Sequence, residues 1–151
     1  ELPNSLVVPC DVRVPEEIDS AFGAIGAEFG HLDAIVHAIA YAKREELEGN
    51  FFNTSKEGYM LAHEVSAYSL TAIVRRALPL MEGRNGSIVT LTYIGGERVV
   101  VNYNVMGIAK AALEASVRYL AHDLGPRGAS GHTRQANLAL AADSVAAFAR
   151  G

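Results

Sequence analysis

The stretch Ala34-Ile35-Val36-His37-Ala38-Ile39 is apolar at nearly every position, and it constrains the fold more than any other feature of the chain. A strand with one wet face alternates apolar and polar residues, whereas a strand covered on both faces does not. This run is therefore expected to be a strand of a parallel sheet, with both faces covered. Before it, Leu6-Val7-Val8-Pro9-Cys10 is a short β-branched run closed by Asp11 and reads as an earlier strand. Between the two, Pro15 opens a helix where its missing N–H costs nothing, and Glu16, Glu17 and Asp19 suit the first turn. Ile18, Phe22, Ile25 and Phe29 recur at spacings of three and four and form one buried face, which Gly30 ends.

The alternation continues. Residues 41–53 are polar and read as a loop, after which Thr54-Ser55-Lys56-Glu57 carries the Thr-x-x-Glu pattern of a helix start. The helix is expected to run to about Leu78, with Pro79 at its boundary. Gly83-Arg84-Asn85-Gly86 is turn chemistry, Ser87 to Thr92 a further strand, and Tyr103 to Leu124 a further helix ended by Gly125-Pro126. Strand, helix, strand, helix, strand, helix is the order of a doubly wound α/β sheet. Gly128-Ala129-Ser130-Gly131 looks like a linker, and Leu138, Ala142, Val145 and Ala149 space out as one face of an alanine-rich helix.

Composition excludes some classes of function. With 151 residues and 50% apolar content the chain is of single-domain size, and its net charge of −4 argues against neutralising phosphates or an anionic membrane. The single cysteine, Cys10, leaves no internal disulfide framework, and no apolar run reaches the ~18 residues of a membrane span. A cytoplasmic setting, with no signal peptide, no nucleic acid and no membrane partner, is the expectation.

Chemistry concentrates after the third strand, at Tyr93, Tyr103 and Lys110. Residues seven apart on a helix point within about 20° of each other, so Tyr103 and Lys110 can face one cleft. Such a cleft is expected at the carboxyl ends of parallel strands, where open α/β sheets bind ligands. A phenol can donate to an oxygen that becomes negative, and an ammonium can hold a diol and stabilise charge. Two tyrosines and a lysine are equally ordinary as surface or packing residues, and their surroundings decide.

Those surroundings are Leu91-Thr92-Tyr93-Ile94-Gly95-Gly96-Glu97-Arg98 and the segment from Asn102 to Ala115, with Cys10-Asp11-Val12, His37 to Ala42 and Ser66-Ala67-Tyr68-Ser69 elsewhere. Together they closely resemble the bacterial enoyl-acyl-carrier-protein reductases, a divergent branch of the short-chain dehydrogenase/reductases. Six residues separate the active Tyr and Lys in that branch, as between Tyr103 and Lys110 here, and a second Tyr stands ten before the first. The resemblance extends from about Val7 to Gly128. It implies a partial Rossmann-like doubly wound parallel sheet with flanking helices over residues 1–128, with 129–151 as the linker and alanine-rich helix of the same domain.

The resemblance also implies roles. The activity would be NADH-dependent reduction of a trans-2-enoyl thioester of acyl carrier protein, in fatty acid synthesis. Tyr103 would stabilise the enolate oxygen, Lys110 would bind the nicotinamide ribose, and Tyr93 would stand beside the nicotinamide. Asp11 and Val12 would contact the adenine, while Ala38, Ile39, Ala40, Leu91 and Thr92 would pass along the NADH. Tyr41, Ala42, Leu47 and Met106, with Tyr93 and Tyr103, would form the substrate pocket. The two long helices would pack in a homo-oligomer, a dimer or tetramer.

Residue-level alternatives stand beside these roles. Asp11 could cap its strand, Met106 could be core, and Ser66 to Ser69 could be helix packing. Gly23, Gly26 and Gly30 do not match a dinucleotide fingerprint, and His63-Glu64 lacks the second His of a zinc site, so no metal is expected. The chain departs from the family pattern in having only five residues before Leu6, where a glycine-rich strand-turn-helix would cradle pyrophosphate, and in its residues after Gly128. Val101 also stands where Pro is expected. NADH binding by this chain alone is therefore expected to be weak, and a non-catalytic module that oligomerises or binds a partner is the alternative reading. A carbonyl reductase is disfavoured, because its Tyr-x-x-x-Lys motif is missing from the helix after the third strand.

Overall fold

The structure is a computed structural model, and it describes residues 5–125 and the backbone of 140–141. Helix α1 (Pro15–Phe29) starts at its proline and ends where Gly30 turns left-handed at φ 72°, its amide donating to the Gly26 carbonyl. Strand β1 (Ala34–His37) follows, then α2 (Lys56–His63), a π-helical turn over Glu64–Tyr68, α3 (Ser69–Met81), β2 (Ser87–Leu91), α4 (Asn104–Leu124) and β3 (Leu140–Ala141). The sheet has the order β1-β2-β3, all parallel, with Ile35 opposite Ile88, His37 opposite Thr90, and Leu91 opposite Ala141. The partial Rossmann-like parallel sheet with flanking helices is thus present.

The core lies on one side of the sheet. Leu70, Val74 and Ala77 of α3 and Leu113 of α4 close over Ile88 of β2, with Phe22 of α1 and Ile35 of β1 at the margin. Burying a side chain such as Leu70 or Leu113, both 0% exposed, contributes about 1.5–3 kcal/mol each. From the opposite side Val36 projects, 68% exposed. The expectation that both faces of the 34–39 run are covered is therefore not met among the described residues, and the strand itself stops at His37.

Other expectations are corrected as well. Leu6 to Cys10 is not a strand: it pairs with nothing in the sheet, and Val7 is 86% exposed. A strand needs a ladder to satisfy its amides, and among the described residues β1 makes its ladder with β2. Phe29 is exposed at the very end of α1, while Ile18 carries the burial.

The second helix is not capped by Thr54. Ser55 is the N-cap, accepting from the Gly58 amide at 3.0 Å, and Glu46 rather than Glu57 receives the Ser55 amide at 3.0 Å. The helix also passes Pro79 and ends at Met81. A proline so near the end removes one ladder bond, and the burial of Ala77 and Met81 offsets it. Leu140 and Ala141 are strand, not helix. The rest of the expected linker and alanine-rich helix lies outside the described residues.

Candidate functional site

Strands β1 and β2 run parallel, so the segments leaving their carboxyl ends emerge at the same sheet edge. Ala38, Ile39, Ala40 and Tyr41 leave β1 there, and Thr92 and Tyr93 leave β2. The chain then makes a short 3-10 turn over Ile94–Gly96 and enters α4. Tyr103 is the N-cap residue of α4, at φ −129° and ψ 8°. Asn102 before it takes φ 59°, a left-handed conformation that Asn tolerates better than most residues.

That geometry gathers the three chemical residues. The rings of Tyr93 and Tyr103 stand edge to face with centroids 4.9 Å apart and planes at 65°. Lys110 comes up from α4, 5% exposed, and its Nζ donates to the Leu91 carbonyl at 2.7 Å. Burial, and then the nearby Tyr93, push the Tyr103 phenol up to about 12, so it stays protonated and able to donate at neutral pH. Burial pulls the Lys110 ammonium down, and Glu114 opposes that pull. A cleft of about 370 Å³ flanks Tyr103, lined by Phe51, Gly95, Val100, Asn104 and Ile108 among others.

The glycines set the spacing. A Cβ at Gly95 would stand 2.4 Å from the Tyr103 ring, and one at Gly107 would stand 2.8 Å from the Gly95 carbonyl oxygen. The turn therefore lies directly on the helix, and Tyr103 is packed against backbone.

The other expected site residues fall into place unevenly. Ala38, Ala40 and Tyr41 are exposed, and Ile39, Ala42 and Leu47 are half-buried. Met106 is buried on α4, as a core residue would be. Asp11 and Val12 lie in a turn before α1, where the Asp11 carboxylate accepts from the Arg13 amide at 2.9 Å and Arg13 Nε at 3.0 Å. Those hydrogen bonds hold Asp11 down at about 2. Its oxygens are occupied by Arg13, so Asp11 caps a local turn.

Several residues that shape this edge lie within the segments that carried the resemblance but were given no individual role there. Ser66 Oγ, in the π turn, accepts the Tyr41 amide at 2.9 Å and donates to the Tyr41 carbonyl at 3.1 Å. Asn104 Nδ2 donates to the carbonyls of Glu48 and Gly49 at 3.2 and 3.1 Å, tying the loop that carries Leu47 to α4. His37 is buried between Thr90 Oγ1 at 2.9 Å and Ser69 Oγ at 2.8 Å. Ser69 spends its own proton on the Val65 carbonyl, so it accepts from His37 Nε2. Burial, and then Lys110, lower His37 to about 4, so the ring stays neutral at neutral pH, and the Thr90 hydroxyl beside its Nδ1 also reaches the His37 carbonyl at 3.2 Å. Among the described residues no three His, Cys, Asp or Glu side chains gather as a metal site. Nor is any described helix long and apolar enough to cross a membrane.

A parallel α/β sheet with this Tyr, Tyr and Lys at its carboxyl edge is a Rossmann-like architecture of the reductase type. Residues 1–131 match the family model described as enoyl-(acyl carrier protein) reductase. The chain belongs to the enoyl-acyl-carrier-protein reductase family. It is 55% identical over 125 residues to the NADH enzyme of Aquifex aeolicus, covering 83% of this chain and 46% of that protein. To the NADH enzyme of Neisseria meningitidis serogroup B it is 44% identical over 153 residues, covering 99% of this chain and 59% of that protein. Among solved structures, the Bacillus cereus enoyl-acyl carrier protein reductase with NADP+ and an indole naphthyridinone superposes with a TM-score of 0.81. Its sequence identity is 54%, over 85% of this chain and 49% of that one. The chain spans about half the length of the relatives it matches.

Proposed function

We propose that this chain carries the catalytic edge of an NADH-dependent oxidoreductase that reduces trans-2-enoyl thioesters of acyl carrier protein in fatty acid synthesis. The observation that supports it most is the Tyr93–Tyr103 ring pair beside a buried Lys110 at the carboxyl end of β2. Bound NADH would supply the hydride that adds to the β carbon. Tyr103, kept protonated by its burial, donates to the thioester oxygen as negative charge builds there. Among the described residues Leu91 takes one of the three Lys110 N–H donors, leaving two for a ribose diol. The exposed, small Ala38 and Ala40 let a cofactor backbone pass close to the edge of β1, with Ile39, Leu91 and Thr92 beside it. Tyr41, Ala42 and Leu47 line the acyl side, Tyr93 closes it next to the nicotinamide, and Met106, buried on α4, belongs to the packing beneath. At the adenine end the fit is poorer, because Arg13 already holds the Asp11 carboxylate, and contact there falls to Val12.

Self-association belongs to the same reading. Tyr59, Met60 and Tyr68 on the second helical segment and Ile108 and Tyr119 on α4 are exposed apolar residues that a second copy would cover. A cytoplasmic setting follows from the proposed substrate.

The test is to titrate NADH against the chain by its fluorescence and then follow NADH oxidation with a short enoyl thioester. Saturable binding with turnover supports the reading. No binding at millimolar NADH overturns it for this chain and leaves the non-catalytic module.

A further inference from the structure

We propose that Glu114 is a positioning residue for Lys110: clamped to Thr92 beneath the Ile94–Gly96 turn, its carboxylate fixes the β2–α4 junction and supplies the negative charge a buried ammonium needs. Lys110 is 5% exposed and donates to a neutral carbonyl, Leu91 O, at 2.7 Å. Among the described residues it makes no ion pair. A cation so placed is costly unless an opposite charge lies near.

Glu114 follows Lys110 by four residues on α4, one turn along the same face. Its Oε1 accepts from Thr92 Oγ1 at 2.5 Å. A Cβ built on Gly96 would meet that same Oε1 at 2.9 Å and the Lys110 backbone carbon at 3.2 Å. The carboxylate is thus held directly under the turn, against the helix segment that bears Lys110. Leu91 and Thr92 are consecutive, so Lys110 and Glu114 grip successive residues at the end of β2.

The groups around Lys110 leave Glu114 as its counter-charge among the described residues. His37 faces it from β1 and is held neutral by burial and by Lys110 itself. Tyr103, at the start of α4, keeps its phenol proton to about 12. Glu114 alone favours the ammonium, against the burial that opposes it. A hydroxyl donated by Thr92 orients the carboxylate without neutralising it.

The inference rests on the proposed reductase reading only for its catalytic consequence, since the site itself is testable without NADH. The chain contains three lysines, Lys43, Lys56 and Lys110, so their side-chain carbon resonances can be followed by NMR in a 13C-lysine sample, with Lys110→Arg assigning the buried one. Glu114→Gln keeps an acceptor for Thr92 but removes the charge, and is expected to lower the Lys110 pKa by about one unit or more. Thr92→Val, which frees the carboxylate, is expected to lower it less. A Lys110 titration unchanged by Glu114→Gln in a folded protein overturns the proposal. A Lys110 titration that responds to Glu114→Gln in a protein that neither binds nor oxidises NADH counts against the reductase reading instead.

Discussion

Gly107 lies so close to Gly95 that a methyl group on the helix would stand 2.8 Å from the Gly95 carbonyl oxygen. Helix α4 and the turn after β2 are therefore in backbone contact, and the Tyr103 ring packs against that turn. Gly107→Ala is expected to destabilise the fold by about 1–3 kcal/mol, the usual range for overpacking. Thermal unfolding measures the loss, and a change in the Tyr103 aromatic NMR signals measures the displacement. A variant with unchanged Tm would reject the contact.

The buried His37 makes stability depend on pH. An unfolded His takes its proton near 6.5, while burial and Lys110 hold the folded ring neutral to about 4. Between those values the unfolded chain binds more protons, so stability is complete above about pH 6.5 and falls as the pH drops towards 4. One group with that displacement is worth about 3 kcal/mol. Urea unfolding at pH 7 and pH 4.5 should show a smaller loss for His37→Gln than for the unmodified protein. Equal losses would mean that His37 protonates freely in the folded state.

The start of α2 depends on Ser55 and Glu46, not on Thr54 and Glu57. Ser55→Ala removes the side chain that accepts the Gly58 amide and is expected to cost about 1 kcal/mol. Glu46→Gln should lower the unfolding midpoint, because its carboxylate receives both the amide and the hydroxyl of Ser55, whereas Glu57→Gln should leave it nearly unchanged. Denaturant midpoints compare the pair, and a larger effect at Glu57 would restore Thr54 as the cap.

If turnover is found, Tyr103→Phe and Lys110→Ala should behave differently. Losing the phenol removes a donor to the developing oxyanion and should lower kcat by about 10²-fold or more with little change in NADH affinity. Losing the ammonium removes a cofactor contact and a bond to Leu91, so both kcat and NADH binding should weaken. Steady-state kinetics with an NADH titration separate the two patterns, and equal indifference would reject the roles.

Much of this was legible in the amino-acid order, and the failures have physical causes. Pro15, the left-handed Gly30 and the spacing of Ile18 and Phe22 marked α1, because caps and periodicity are local. The spacing of Tyr103 and Lys110 let them face one cleft, but the resemblance of the residues around them is what singled them out. The run Leu6 to Cys10 has strand composition, but a strand exists only where another strand pairs with it, and local composition cannot report that. The Glu46–Ser55 bond joins residues nine apart across a loop, while the Thr-x-x-Glu pattern looks no further than three. Glu114 and Thr92 are 22 apart, and neither residue type signals a site by itself. At Asp11 the carboxylate was visible, yet the Arg13 guanidinium that occupies it depends on a turn.

The π turn over Glu64–Tyr68, where the Ser69 amide reaches back to the Glu64 carbonyl, has a geometric consequence. A π turn widens the coil, so the rotation accumulated across it lags that of an uninterrupted α-helix. A face traced along α2 through Met60 does not continue straight into α3. Any partner lying along both segments would meet two stripes with an angular offset between them. Deleting one residue from the turn would bring the stripes into line and swing Ser66 away from Tyr41, uncoupling the outer surface from the edge of the sheet.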